Sequence, residues 1–200
     1  MTLTYITSKE GFISTLPPKQ LAMSKPASNI TIGHALASEA SAIAKIGADT
    51  FTTTFGFAVT PEDLEKFLAA TYVESAVLAD LKDPAIETFV ARDETGKVWG
   101  MVQLVRKVAD PGDPAPHAHA HLQRLYVVAE AHGRGIGSKL VAAVEAQARA
   151  EGFEKMSLGV WENSTKAQRL YAKLGYQKVG TTEFLMGACV HIDYVLSKDL

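Results

Sequence analysis

The sequence predicts a single α/β domain, a mixed twisted sheet of six or seven strands with helices on both faces. Its 200 residues, 47% hydrophobic and 21% charged, are typical of one globular domain. Strand-like segments at 123–128 and 156–161 flank a glycine turn and a helix-like segment at 136–151. A right-handed crossover of this kind requires the two strands to be parallel neighbours. A β-hairpin with strands at 86–91 and 98–108 adds antiparallel pairs, so the sheet is predicted to be mixed.

The composition excludes several classes of partner. The formal net charge of −2 lacks the basic excess expected of a general nucleic-acid binder. The single cysteine, Cys189, cannot form an intramolecular disulfide, which is compatible with a reducing compartment. No segment approaches the ~20 apolar residues that a membrane-spanning helix needs. We therefore expect a soluble, cytoplasmic monomer or homodimer that binds neither nucleic acid nor membrane.

Residues 1–29 are interpreted as an N-terminal extension, and residues 30–200 as the folded domain. The extension contains Pro17-Pro18 and lacks the apolar core of a secretory signal. A strand over residues 2–7 is an alternative that the pattern leaves open. The β-branched run Ile30-Thr31-Ile32 predicts the first strand of the domain.

Two helices are predicted after this strand. The first begins near Ser38-Glu39, and the second has Thr60 as its cap and Pro61 at its first position. Each presents one apolar face, as expected of a helix that packs on a sheet. The faces consist of Ile43, Ile46, Phe51 and Phe55 in the first helix and of Leu64, Phe67, Leu68 and Tyr72 in the second.

A loop rich in Pro and Ala is predicted at 109–120, and it ends in a run of histidines. His117, His119 and His121 alternate, so their side chains would project from one face of an extended chain. Imidazole suits zinc and similar ions. No Cys, Asp or Glu lies at a supporting spacing, and we expect no metal site.

The turn at 132–137 is predicted to bind an anion. Gly133, Gly135 and Gly137 fall on alternate residues where the central helix begins, so the backbone can approach a ligand without intervening Cβ atoms. The unpaired amides of the first helical turn and the helix macrodipole would then face the anion. The spacing fits neither the P-loop nor the G-x-G-x-x-G dinucleotide fingerprint. A plain tight turn is the alternative interpretation.

The last part of the chain predicts a strand, a helix and two further strands. After the strand at 155–161, a helix is predicted to start within residues 162–165, where Asn163, Ser164 and Thr165 can each cap it, and to end at Gly175. The final strands are predicted at 176–179 and 190–196. The helical periodicity is carried by Ala167, Leu170, Tyr171 and Leu174.

Two motifs resemble the GNAT superfamily of acetyl-CoA-dependent N-acetyltransferases. The family's R/Q-x-x-G-x-G/A signature is matched by residues 132–137, with His132 where Arg or Gln is usual. Its Asn and Ala-x-x-x-Tyr segment, ending in Gly-Phe or Gly-Tyr, is matched by Asn163, Ala167, Tyr171, Gly175 and Tyr176. The resemblance implies a GNAT-like domain in which the two parallel strands diverge and leave a slot for the ligand.

The resemblance also implies a reaction and the residues that perform it. Acetyl-CoA would be the co-substrate, with its pyrophosphate on the amides of residues 134–138, and a small-molecule primary amine would be the acceptor. Tyr171 would give a proton to the departing thiolate, and an amide near Val127 would bind the developing oxyanion. The loop at 55–57 would contact the acceptor. The implied acetyl-CoA-binding residues are Leu125, Tyr126, Val127, His132, Gly133, Arg134, Gly135, Ile136, Gly137, Ser138 and Asn163.

The general base and the catalytic status stay open. Many relatives carry Glu at the position of Gln123, so His121, His191, Asp193 or ordered water would have to accept the proton. The residues at positions 123 and 132 favour a second interpretation, a coenzyme A-binding regulator that has lost catalysis. A third interpretation is an interaction module whose glycine turn binds nothing.

The acceptor also stays open. Segments 50–55, 158–162 and 193–200 are similar to the PaiA-type polyamine acetyltransferases. In that group acidic residues precede the Asp matched by Asp193, whereas this chain has the run Ala-Cys-Val-His at 188–191. A cationic polyamine needs such carboxylates to offset its charge, so the polyamine is one candidate among small amines.

Overall fold

The structure, a computed structural model, describes residues 29–106, 119–186 and 189–200. Its strands are β1 (Ile30–His34), β2 (Ile86–Asp93), β3 (Val98–Arg106), β4 (His119–Val127), β5 (Lys155–Trp161), β6 (Gln177–Met186) and β7 (Cys189–Asp199). In the described chain they form one seven-stranded sheet in the order β1-β2-β3-β4-β5-β7-β6. The β4–β5 pair is parallel and the other pairs are antiparallel, which confirms the predicted mixed sheet.

The helices of the described residues are α1 (Ala40–Phe55), α2 (Pro61–Thr71), α3 (Glu74–Asp80), α4 (Ile136–Ala150) and α5 (Thr165–Lys173). They cover both faces of the sheet. On β2, Val90 packs with Ile43 of α1 and Val77 of α3, whereas its neighbour Phe89 shares a core with Leu140 of α4. Successive strand residues point to opposite faces, so the predicted two-sided arrangement is confirmed. None of these helices is long and apolar enough to cross a membrane.

The parallel strands β4 and β5 separate partway along their length. Their pairing runs from His119 with Lys155 to Leu122 with Leu158 and then stops, although both strands continue. β5 stays paired with β7 as far as Trp161, so the gap lies between β4 and β5. This gap is the predicted slot.

A β-bulge in β4 stands where the gap begins. Gln103 of β3 pairs with Arg124 and Leu104 pairs with Leu122, so Gln123 is the extra residue. A bulge bends its strand and increases the local twist. The bend therefore falls at the residue where β4 loses its pairing with β5, and it explains the separation.

Several element boundaries differ from the predictions. β4 begins at His119, whereas a loop was expected as far as residue 120. β6 extends to Met186, whereas it was predicted to end at 179. The prediction missed this end because the sequence of the edge strand has no regular apolar alternation. The short helix α3 was not predicted, since its seven residues bury only Val77. The strand considered at 2–7 lies outside the described residues.

Two predicted helix signals are confirmed. The hydroxyl oxygen of Thr60 accepts a hydrogen bond from the Asp63 amide at 3.1 Å and so caps α2. Gly175 follows α5 with a φ of 92°, the left-handed conformation typical of a residue that ends a helix. The start of α5 agrees with the predicted capping segment, because Ser164, one of its three candidate caps, holds the N-cap position, although its side chain makes no capping hydrogen bond.

Candidate active site

The turn between β4 and α4 contains two glycines in a left-handed backbone conformation. Gly133 and Gly135 both have a φ of 76°, where residues with a side chain are strained. A Cβ atom at either position would meet no heavy atom within 4 Å, so this surface is open to a ligand. Gly137 lies inside α4, as predicted, but a Cβ built on it would be 3.4 Å from Leu170, so this position is less open than the prediction assumed. Its small size keeps α4 and α5 close together.

The first turn of α4 presents N–H groups that have no backbone acceptor in the described chain. The amide of Lys139 donates to the Gly135 carbonyl at 3.1 Å, but those of Ile136, Gly137 and Ser138 donate to no backbone oxygen. The positive end of the helix macrodipole lies at the same place. This turn can therefore hold a phosphate or pyrophosphate group.

His132 bridges the end of β4 and the start of α5. Its Nε2 lies 2.8 Å from the carbonyl oxygen of Val127, and its Nδ1 lies 3.2 Å from Nζ of Lys166. A carbonyl only accepts and an ammonium only donates, so Nε2 donates to Val127 and Nδ1 accepts from Lys166. Lys166 is thereby held beside the glycine turn. Val127 and His132 also border a groove beside α1.

The gap between β4 and β5 opens into a cavity of about 390 Å³. Residues 122–126 and 159–161 of the two strands line its middle. Thr50 and Phe51 of α1 line it on one face of the sheet, and Ala167 and Tyr171 of α5 line it on the other. Because helices from both faces contribute, the cavity passes through the sheet. Two reactants could approach each other from opposite faces.

Tyr171 borders this cavity from the α5 side. Its ring is buried, with 5% of the residue exposed, and packs edge-on against Tyr176 with 5.7 Å between ring centroids. Burial raises the pKa of Tyr171 well above that of an ordinary tyrosine. The hydroxyl therefore keeps its proton at neutral pH, as a proton donor must. Tyr171 therefore both packs in the core and borders the cavity.

Six aromatic rings form the opposite side of the cavity, which we call the aromatic wall. Ring centroids are 4.4 Å apart for Phe51 and Phe67, 5.2 Å for Phe55 and Trp161, and 6.4 Å for Phe67 and Phe184. Phe51 and Phe55 are also in contact, at 4.7 Å between centroids, so the wall is a continuous apolar lining. Its members are Phe51, Phe55, Phe67, Tyr72, Trp161 and Phe184.

Asp193 of β7 supplies the one carboxylate among the described residues that line the cavity. Its Oδ2 would lie 3.4 Å from a Cβ atom built on Gly159, so the carboxylate stands against the β5 side of the gap. Burial raises the pKa of Asp193 above its ordinary value, and the charge of nearby His191 counteracts part of this rise. Nε2 of His191 is itself buried and has no hydrogen-bond partner within the described residues.

Arg124 is the cationic side chain of the described cavity lining. Its Nη1 donates to Asp80 at 2.8 Å and to Gln103 at 2.7 Å, and its guanidinium carbon lies 5.5 Å from the ring centroid of Tyr72. Tyr72 shares a hydroxyl–hydroxyl hydrogen bond with Tyr126, and burial raises the pKa of both. The charge of Arg124 is thus already matched by Asp80.

The cavity gathers some of the residues predicted from sequence and leaves others outside. Leu125, Tyr126, Tyr171 and Asp193 line it. His121 lies in the paired part of β4, where its Nδ1 is 3.1 Å from the hydroxyl of Ser157. Asn163 is exposed in the turn before α5, and Phe57 is 78% exposed. The described ranges contain no cluster of side chains suited to a metal, and His117 lies outside them.

Comparison with known proteins identifies one family. Residues 48–176 match the Acetyltransferase (GNAT) family. An uncharacterized N-acetyltransferase of Mycobacterium tuberculosis is 32% identical over 162 residues, which are 81% of this chain and 98% of the relative. One of Lactobacillus delbrueckii subsp. lactis is 28% identical over 155 residues, 78% of this chain and 88% of the relative. The chain therefore belongs to the GNAT family of acetyltransferases, enzymes that use acetyl-CoA as co-substrate.

Solved structures share the fold. The PaiA N-acetyltransferase from Thermoplasma acidophilum, in complex with coenzyme A, matches with a TM-score of 0.70 and 18% identity over 86% of this chain and 99% of that chain. A spermidine/spermine N-acetyltransferase from Vibrio cholerae matches with a TM-score of 0.62 and 16% identity over 86% of this chain and 95% of that chain. At such low identity the likeness concerns the fold alone, and it confirms the GNAT-like architecture.

Proposed function

We propose that the protein transfers the acetyl group of acetyl-CoA to a primary amine, a polyamine or another small amine, in the gap between β4 and β5. The observation that carries this proposal is the cavity through the sheet, which has protonated Tyr171 on one side and the Asp193 carboxylate on the other. A thiolate leaving group needs a proton donor, and an ammonium ion needs a proton acceptor. In this proposal Tyr171 serves the thiolate and Asp193 serves the ammonium ion.

Backbone groups are the main acetyl-CoA ligands in this proposal. The free amides of the first α4 turn support binding of the pyrophosphate. Beyond Leu122, the edge of β4 that faces β5 is not paired with β5, so its backbone groups are available to hydrogen-bond the remaining part of acetyl-CoA. The proposed contacts are Leu125, Tyr126, Val127, His132, Gly133, Arg134, Gly135, Ile136, Gly137, Ser138 and Asn163.

Asp193 is the proposed proton acceptor. An aliphatic amine is mostly protonated at pH 7, so it would meet the carboxylate as an ammonium ion. Asp193 accepts one proton, directly or through water, and its raised pKa makes it a better base than an ordinary carboxylate. We favour Asp193 over His121 as the base, because His121 is outside the described cavity lining.

Tyr171 and the end of β4 complete the proposed chemistry. Acetyl-CoA supplies an activated thioester, whose C–S bond breaks as the C–N bond forms. An amide near Val127 stabilises the oxyanion, and Tyr171 donates its hydroxyl proton to the departing thiolate. The second proton lost by the nitrogen passes to solvent. Asp193 then releases its proton to solvent as well, and Tyr171 recovers one from solvent, so that one proton is released per amine acetylated.

Release of free thiol from acetyl-CoA in the presence of a panel of amines tests the proposal. We expect amine-dependent release and an N-acetylated product detectable by mass spectrometry. Acetyl-CoA should also raise the melting temperature, since it binds the folded state. A thermal shift without turnover of any amine would favour the second candidate, a coenzyme A-binding regulator, which the residues at positions 123 and 132 support. Absence of a shift would contradict both.

A further inference from the structure

We infer that the preferred acceptor is a monoamine with an apolar or aromatic body, and not a polyamine. The inference rests on the proposed amine acetyltransferase function and names the class of its acceptor. The juxtaposition that carries it is the aromatic wall beside a single carboxylate, Asp193, in the described lining of the cavity.

The aromatic wall provides a surface for an uncharged body. Phe67 is its centre, with ring centroids 4.4 Å from Phe51, 5.9 Å from Tyr72 and 6.4 Å from Phe184. Rings at such distances form a contiguous surface that excludes water, and a hydrocarbon chain or ring gains by being buried against it. Recognition by shape and apolar contact suits phenyl or alkyl groups equally. An acceptor whose carbon chain is interrupted by charged groups would lose this gain from apolar burial.

The charged groups provide for one ammonium ion. Asp193 is half-buried and can receive one cation at the β5 side of the gap. Arg124 is the other ionised side chain of the described lining, and it is positive and paired with Asp80 at 2.8 Å. A second ammonium would find no second carboxylate in the described lining, and it would meet either ring faces, whose cation–π attraction is weaker than an ion pair, or the like charge of Arg124. Both environments offset the loss of its hydration less well than a carboxylate does.

A matched pair of acceptors tests this inference with the full-length protein. n-Hexylamine and 1,6-diaminohexane have the same carbon chain and differ by one amino group. We expect kcat/KM for n-hexylamine and for 2-phenylethylamine to exceed that for 1,6-diaminohexane and for spermidine by about tenfold or more. Acetyl-CoA concentration is kept saturating so that the amine alone limits the rate.

Variants show whether the charges are the cause. Asp193→Asn should lower turnover of every amine by about 10²-fold or more without changing the thermal shift produced by acetyl-CoA. Asp199→Asn is the control, because it lies on the same strand with its side chain 87% exposed. Gln123→Glu adds a second carboxylate to the lining and should raise the rate with 1,6-diaminohexane relative to n-hexylamine.

The outcomes separate the inference from the function on which it rests. A kcat/KM for 1,6-diaminohexane or spermidine that equals or exceeds that for n-hexylamine overturns the inference and leaves amine acetylation in place. An unchanged ratio in Gln123→Glu also contradicts it, because charge number would then not govern the choice. Turnover of no amine, despite binding of acetyl-CoA, overturns the proposed function and the inference together.

Discussion

Nε2 of His132 donates a hydrogen bond to the carbonyl oxygen of Val127, with 2.8 Å between the two atoms. The other ring nitrogen accepts from Lys166 at 3.2 Å. His132 therefore fastens the glycine turn to the end of β4 and holds a cation of α5 beside it. At the position where the family usually has Arg or Gln, this chain has a side chain that positions the turn, while the backbone amides are the proposed main anion ligands.

His132→Ala should weaken acetyl-CoA binding only modestly. The variant loses two hydrogen bonds that position the turn but keeps the amides of residues 136–138, so we expect a loss of about 1 kcal/mol, or several-fold in Kd. Isothermal titration calorimetry with acetyl-CoA measures this change. His34→Ala is the control, since His34 lies on the edge strand β1, three strands from β4, and is paired with Glu87 of β2. A loss of a hundredfold would mean that the imidazole is itself a principal ligand.

Gly135→Val should weaken acetyl-CoA binding much more, by at least about tenfold. The new side chain would stand on the open surface of the turn and would also disfavour its φ of 76°. Gly152→Val is a matched control, because Gly152 has a φ of 85° with nothing within 4 Å of its Cβ and lies beyond the other end of α4. Equal losses of affinity in the two variants would show that strain, and not blocked access, is responsible.

Gly137→Val is expected to act through packing. Its Cβ would already lie 3.4 Å from Leu170, so the larger side chain should push α5 away from α4 and lower the melting temperature. Differential scanning fluorimetry without ligand detects this effect. If Gly135→Val, Gly137→Val and His132→Ala all lost the same acetyl-CoA affinity, the backbone mechanism would be wrong.

Lys198→Met should destabilise the fold by roughly 3 kcal/mol, because it leaves a buried carboxylate without its main partner. Nζ of Lys198 lies 2.8 Å from each carboxylate oxygen of Glu145, whose side chain is 8% exposed, and the pair joins α4 to β7. Urea denaturation gives the free energy of unfolding. Lys155→Met removes a pair that is 3.8 Å long and largely exposed, so it should cost less than about 1 kcal/mol. Equal stability of the two variants would contradict this account.

Asp93 should make stability depend on pH in acid. Hydrogen bonds from Thr95, Trp99 and the Lys97 amide lower the pKa of Asp93 from 3.8 to about 2. Because the folded pKa is the lower one, the contribution is fully present above the unfolded value and is lost as the pH falls toward about 2. Asp93→Asn should therefore melt lower than wild type at pH 7, with a smaller difference at pH 2. A difference independent of pH, or one matched by exposed Glu94→Gln, would contradict this assignment.

Much of the fold could be predicted where the apolar residues of an element follow the period of a helix or a strand. The stripe of Ile43 and Ile46 gave α1, and the crossover between β4 and β5 required a parallel pair. The boundaries of β6 could not be predicted, because an edge strand with exposed Val179 and Leu185 has no buried face to set a pattern. The bulge at Gln123 arises from pairing with β3, which the sequence of β4 does not reveal.

The proposed cofactor side of the site has a sequence signal, whereas the proposed acceptor side has little. The glycine turn is local, so its residues are adjacent in the sequence. The aromatic wall joins Phe51, Phe67 and Phe184 from α1, α2 and β6, and it exists only after these elements have packed. Helical periodicity assigned Phe51 and Phe67 to packing, which is also correct, since the same stripe both packs and lines the cavity. The unusual number of aromatic residues in the two helical stripes was the available signal.

The hydroxyl of Tyr171 is the group on which the proposed chemistry depends most, and the turnover of Tyr171→Phe tests it directly. The variant keeps the buried ring, so melting temperature and acetyl-CoA affinity should change little. Tyr176→Phe, which alters the neighbouring ring 5.7 Å away, is the matched control and should retain activity. With an amine confirmed as acceptor, we predict that kcat of Tyr171→Phe falls by about 10²-fold or more. A variant that melts normally and turns over within about threefold of wild type would contradict Tyr171 as the proton donor.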